Sequence, residues 1–311
     1  MKEETTMTTI KTQNFGIEIE LTGISRPAAA QIIADYFGTG STGHECDGYD
    51  TYTARDTKGR KWKCERDISI EPQVRRGNRI VDRPEGRTSS DLRCEVVSPI
   101  LQYEDIEDLQ NIVRKLVEGG ALANSSCGIH VHVDGANHTA ESLIRLVNLV
   151  VGRQDLFCEA LQNEARCSHW CQKTSKEMMK AMKKTAHTKA DIERIYYSNL
   201  NNGYRGGIDH SHYCNARYRG LNLHALYTKG TVEFRLFNGT THAGKIKAYI
   251  QFCLAMSSWA INAEKVPYFK DTADFTKEQK AKIMKGFLTN RLGLTGKEFA
   301  TARQHLTAAF A

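Results

Sequence analysis

The chain is 311 residues long with a formal net charge of +7; 40% of it is hydrophobic and 25% charged. Such a composition suits a soluble globular protein of one large or two ordinary domains. Membrane and secretory classes are set aside, because no apolar run approaches the roughly 20 residues that span a bilayer and the polar opening MKEETTMTTIKTQ has no signal-peptide core.

Residues 1–13 read as a flexible lead-in to a single domain over 14–311. NFGIEIELT, residues 14–22, alternates strictly: Phe15, Ile17, Ile19 and Leu21 on one side, Glu18 and Glu20 on the other. That is a strand with one buried face. Pro27 suits the first turn of a helix running through Phe37. The glycine-rich stretch Gly38–Gly48 reads as loop. Tyr49–Arg55 and Arg60–Ile68 predict two strands joined by a turn in which Gly59 takes positive φ. The charged span RRGNRIVDRPEGRTSSD, residues 75–91, is a loop or ragged hairpin, and Arg93–Ile100 a strand ended by Pro99. Asp105–Glu118 is an amphipathic helix stopped by Gly119 and Gly120.

The stretch CGIHVHV, residues 127–133, places His130 and His132 on one face of a strand and Ile129, Val131 and Val133 on the other. One long helix is expected over about Thr139–Glu164. Lysine-rich helices follow at about Lys173–Asn199, within a helical insertion of about 165–200. Residues 201–220 are rich in glycine and polar residues, hence loop. Leu221–Tyr227 and Thr231–Phe237 predict a hairpin across Thr228–Gly230, and the rest, about 243–311, three helices. Strands and helices mixed in one uninterrupted pattern predict an α+β domain with a helical C-terminal part.

Nine cysteines, an odd number at irregular spacings, point to reduced thiols in a cytoplasmic protein. Cys167 and Cys171 flank His169 in the manner of a metal knuckle. No second pair follows at zinc-finger spacing, which favours free thiols. Much of the positive charge sits in KTSKEMMKAMKKTAHTK, residues 173–189. A run of this kind is usually a solvated helix face; an anionic substrate or a nucleic acid is the functional alternative.

The polar faces of several strands carry charge where threonine or serine is commoner. Glu18 and Glu20 share a face, as do Glu65 and Asp67, and Glu233 with Arg235; Glu95 stands on another strand. Like charges two residues apart are unfavourable unless neutralised. A solvent-facing pair explains any one strand, but four such strands, with the His130–His132 strand as a fifth, suggest polar faces converging on one cavity. Carboxylates with one or two imidazoles suit Mg²⁺ or Mn²⁺, and an adjacent arginine suits phosphate. Neither a GxxxxGK[ST] loop nor a strand-linked GxGxxG is present, so side chains and metals would hold a nucleotide.

In this order, the motifs Phe15-Gly-Ile-Glu-Ile-Glu20, Glu95-Val-Val-Ser-Pro99, Ser126-Cys-Gly-Ile-His-Val-His132, Arg219-Gly-Leu-Asn222 and Thr231-Val-Glu-Phe-Arg235 resemble the amidoligase family. That family lies within the carboxylate–amine ligase superfamily of glutamine synthetase and glutamate–cysteine ligase. The resemblance covers about Phe15–Ile261. It implies a glutamine synthetase-like curved, mainly antiparallel sheet with flanking helices. It also implies an ATP- and Mg²⁺-dependent (or Mn²⁺-dependent) enzyme that joins a carboxylate, possibly glutamyl or peptide, to an amine through an acyl phosphate.

By that similarity Glu18, Glu20, Glu95, His130, Glu233 and Asp67 are metal ligands, with Glu65 as an alternative to Asp67. His132 lies near substrate or phosphate, and Arg235 contacts phosphate. Glu18, Glu20, His132 and Arg235 form the catalytic set. Arg217, Arg219, Asn222 and Arg235 meet the nucleotide. Asp209 or a glutamate would take the amine's proton. Two other functions compete. A nucleic-acid-binding protein using the basic helices leaves inward acids unexplained. A non-catalytic nucleotide- and metal-binding relative would have lost an acid, whereas Glu18, Glu20 and Glu233 are all present.

Overall fold

A computed structural model of the protein describes residues 7–82, 90–198, 207–270 and 272–311. Two compact units are resolved by their internal contacts. One comprises Asn14–Val131 and Phe237–Lys247; the other comprises the residues through Gln13, His132–Leu236 and Ala248–Ala311. The boundaries fall inside strands 128–134 and 231–238 and inside helix 243–262, not in linkers.

The first unit begins with β1 (Phe15–Leu21) and α1 (Arg26–Tyr36). Ser25 caps α1 by accepting from the Ala28 N–H, and Pro27 lies in its first turn. Then come β2 (Thr42–Glu45), β3 (Thr51–Arg55), β4 (Lys61–Glu65), β5 (Gln73–Arg76), β6 (Arg79–Asp82), β7 (Cys94–Val97), α2 (Ile106–Glu118) and β8 (Gly128–Asp134). The main sheet runs β2-β3-β4-β7-β1-β8, and its first four pairings are antiparallel. Ile19, Val96 and Cys64 are register partners in one buried apolar row. α1 packs against β3, β4 and β7.

Two expectations change here. Gly38–Gly48 is not all loop, since Thr42–Glu45 pairs with β3 at the sheet edge. Its residues are polar and mostly exposed, so no apolar alternation announced the strand. The charged span does form a hairpin, β5–β6, turning at Gly77 with φ of 60°; its residues 83–89 lie outside the described residues.

In the second unit α3 (Ala140–Val151) is capped by Thr139, with Ser142 completing the box. The expected single long helix stops there, and α4 (Gln154–Leu161) starts afresh. The helical path breaks at Arg153, with φ of −134° and ψ of 0°, and the preceding Gly152 lies so close to Phe269 that a Cβ there would sit 2.4 Å from its ring. α5 (Glu164–Cys167), α6 (Lys176–Thr185), α7 (Lys189–Ser198), β9 (Leu221–Asn222), α8 (His224–Thr228), β10 (Thr231–Asn238), α9 (Ala243–Asn262), α10 (Lys277–Gly286) and α11 (Ala300–Thr307) follow.

The predicted hairpin is cut short. Asn222 Oδ1 accepts from the His224 N–H at 2.9 Å, an Asx-type bond that turns the chain into α8 before a strand can extend. The expected lead-in is anchored at its end. Gln13 is buried, donating to Leu254 O at 2.9 Å and accepting from Ser257 at 2.6 Å. Among the described residues no helix is long and apolar enough to cross a membrane.

Candidate active site

In the first unit, Glu18 and Glu20 leave β1 on the side opposite Ile17 and Ile19. Register sets their neighbours: Glu20 faces Glu95 on β7, and Glu95 faces Glu65 on β4. Three carboxylates therefore stand in a row across three strands. His130 on β8 reaches this face, with Nδ1 2.9 Å from Glu18 Oε2 and Nε2 3.5 Å from Glu20 Oε1. The Gly128 N–H donates to Glu20 Oε2 at 2.5 Å. Ligand atoms of Glu18, Glu95 and His130 lie within 4.8 Å of one another, as do those of Glu20, Asp67 and Glu95.

Glu95 belongs to both groups. Although part of it reaches solvent, burial pushes its carboxyl well above the usual range, and the charges of Glu18, Glu20, Asp67 and Glu65 push it further. Lys63 answers one of these charges, 2.8 Å from Glu65. The other acids crowd around shared space. Carboxylate oxygens with an imidazole and no thiolate are a donor set for Mg²⁺ or Mn²⁺, so these side chains fit such an ion.

In the second unit, Thr231, Glu233 and Arg235 share a face of β10 by strand alternation, and Val232 and Phe234 are fully buried on the other. Glu233 is itself buried and held from two sides. Arg235 Nη1 donates to Oε1 at 2.7 Å, and Asn222 Nδ2, its register partner on β9, donates to Oε2 at 2.6 Å. His132 Nδ1 lies 2.9 Å from Thr231 Oγ1, and its Nε2 3.9 Å from Glu233 Oε1.

A family model described as "Putative amidoligase enzyme" matches residues 11–257. The chain belongs to the amidoligase family. No curated protein and no solved structure matches it. The family match spans every motif that carried the resemblance.

Within this amidoligase the expected residues sort as follows. Glu18, Glu20, Glu95, Asp67 and His130 are gathered in the first unit. Asp67 does not share a strand face with Glu65, because β4 ends at Glu65; it sits in the following turn and accepts from the Ser69 N–H at 2.7 Å. His132, Glu233, Arg235 and Asn222 are gathered in the second unit. Both ends of the Asn222 amide are engaged, by Glu233 and by His224 N–H, so it positions Glu233. Arg219 is buried, its guanidinium 5.8 Å from the Tyr196 ring centroid. Arg217 is half-buried and donates to His212 O at 2.9 Å. Asp209 is exposed and accepts from the Ser211 N–H at 2.8 Å.

Sequence reasoning passed over Thr231, although its spacing from Glu233 puts it on the same face. It also passed over Lys63 and the Gly128 N–H, whose roles depend on strand register. Around the Cys167–Cys171 pair three thiols gather: Cys158 and Cys167 lie 3.0 Å apart, and Cys171 is 3.8 Å from Cys167. His169 stacks against Tyr218. None of the nine cysteines is in a disulfide.

Proposed function

We propose that this amidoligase is an ATP- and Mg²⁺-dependent carboxylate–amine ligase. A substrate carboxylate oxygen takes the γ-phosphoryl group of ATP and ADP leaves. The amine nitrogen then attacks the acyl carbon, phosphate departs, and the amine's proton passes to a base. The product is an amide or isopeptide. The observation that carries this reading is the crowding of Glu18, Glu20, Glu95 and His130 on one sheet face. So many acids in shared space repel one another, and bound cations would offset that repulsion.

Glu18, Glu20, Glu95, Asp67 and His130 would hold divalent ions, as would Glu233. When bound, such ions neutralise the charge that spreads over a transferring phosphoryl group. Arg235 and Arg219 add fixed positive charge for phosphate oxygens. His132, oriented by Thr231, offers an imidazole nitrogen to substrate or phosphate. A glutamine synthetase-like curved sheet is the fold that accompanies this proposal, and the antiparallel β2-β3-β4-β7-β1 sheet is compatible with it.

The test is release of phosphate from ATP and formation of an amide in the presence of Mg²⁺, a carboxylate and candidate amines. Glu18→Gln and Glu233→Gln should each lower turnover by roughly 100-fold or more in protein that circular dichroism shows to be folded. Full ligase activity in either variant would overturn the assignment. Tight ATP and Mg²⁺ binding with no phosphate release for any amine would favour a non-catalytic relative.

A further inference from the structure

The lysine-rich helix α6 remains outside the chemistry above. It lines a cavity of about 680 Å³ within the second unit. One wall is basic: Lys176, Lys180, Lys183 and Lys184 from α6, with Arg153 beside them. The four lysines are exposed. Among the described residues, no carboxylate pairs with Lys180, Lys183 or Lys184. Asp155, also on the wall, is already bound to Lys173 at 2.6 Å. The lining also includes the apolar run Val266, Pro267, Tyr268 and Phe269, with Tyr268 89% exposed.

We propose that this groove binds an extended acidic peptide whose glutamate or aspartate residues alternate with apolar ones. The spacing carries the argument. Lys176, Lys180 and Lys184 recur every four residues, which sets them about 6 Å apart along one helix face. In an extended chain, side chains on the same side recur about 6.6–6.8 Å apart. A peptide lying along α6 can thus present successive acids to successive lysines. Its intervening side chains are then available to the apolar part of the lining.

Nucleic acid is the rival polyanion, and two features disfavour it. The Phe269 ring is already engaged by two guanidinium groups, Arg153 at 4.5 Å and Arg291 at 5.6 Å, which leaves Tyr268 as the one exposed ring of the described lining, short of the succession of stacking platforms that single-stranded nucleic acid uses. Arg153, which has the forked geometry suited to phosphate, commits Nη1 to the Gly152 and Lys270 carbonyls. The exposed cations of this wall are lysines, point charges that serve carboxylates as well as phosphates.

This inference does not depend on the ligase reading, because none of the groove residues belongs to the candidate active site. The experiment is fluorescence anisotropy on the full chain. The probes are a fluorescein-labelled peptide alternating glutamate with leucine, its glutamine-for-glutamate counterpart, and oligothymidylate of equal charge. Binding of the acidic peptide is expected to exceed that of both others. The triple variant K180E/K183E/K184E should weaken it by roughly tenfold or more, since several exposed charge contacts of a fraction of a kcal/mol are each reversed. Tyr268→Ala should weaken the leucine-bearing peptide but not one alternating glutamate with glycine. These positions are exposed, so circular dichroism should stay unchanged. Oligothymidylate binding more tightly than the peptide, or peptide affinity within twofold of wild type in the triple variant, would overturn the proposal.

Discussion

Glu20 and Glu95 stand directly opposite each other across the β1–β7 ladder. Like charges so placed destabilise a sheet, and Glu65 extends the row on the other side of Glu95. The fold keeps this arrangement at a cost in stability, which is how a binding face differs from a packing face.

That cost is measurable. Glu95→Gln should raise the melting temperature in metal-free buffer at neutral pH, by a few degrees if relief is about 1 kcal/mol. Adding Mn²⁺ should stabilise the wild type and leave the variant nearly unmoved. A variant less stable than wild type without metal, yet equally stabilised by Mn²⁺, would contradict the role given to Glu95.

The bond from Thr231 to His132 offers a second check. Thr231→Val keeps the shape and removes the hydroxyl that meets His132 Nδ1 at 2.9 Å. Orienting partners of this kind are worth roughly 10–100-fold. The expected result is a fall in kcat of that order with little change in KM for ATP, and recovery in Thr231→Ser. Equal loss in both variants would show that packing, not the hydroxyl, matters.

Acid stability should depend on Asp105. It is buried, and although burial alone would raise its pKa, hydrogen bonds from Arg60, the Gln102 N–H and Lys58 hold it well below the usual carboxylate value. Arg60 Nη1 is 2.8 Å from Asp105 Oδ2, and Lys58 Nζ 2.9 Å from Oδ1. A depressed folded-state pKa contributes stability above the unfolded value of about 3.9 that is lost as pH falls through the folded one. Thermal melts from pH 6 downward should therefore steepen below about pH 4. Asp105→Asn should lower stability at neutral pH by about 1–3 kcal/mol and flatten that acid limb. An unchanged limb would remove Asp105 from the account.

Among the clustered thiols, Cys167 should react first. Hydrogen bonds from Cys158 and Cys171 stabilise its thiolate and lower its pKa, while Cys158 and Cys171 are raised by their bonds to it. Limited iodoacetamide treatment at mildly acid pH, read by peptide mass mapping, should label Cys167 ahead of the other two. Labelling of Cys158 or Cys171 ahead of it would refute the ordering.

Much of this was legible in the chain. Strict alternation in FGIEIEL fixed both the strand and the face bearing Glu18 and Glu20. The His-x-His spacing did the same for His130 and His132, and the ordered motifs identified the family. Alternation is local and survives any tertiary setting. Elements whose signal was not local were misread: the polar edge strand β2, the break at Arg153, and the turn that Asn222 imposes before α8.

What the sequence by itself determined was which side chains share a face, because a strand's period of two is set by the backbone. What only the tertiary structure decided was who stands opposite whom. Register made Glu95 the neighbour of both Glu20 and Glu65, brought Asn222 to Glu233, and closed Gly152 against Phe269. Those pairings join residues on separate elements, and they are fixed by strand register and close packing, which no pattern along one segment contains.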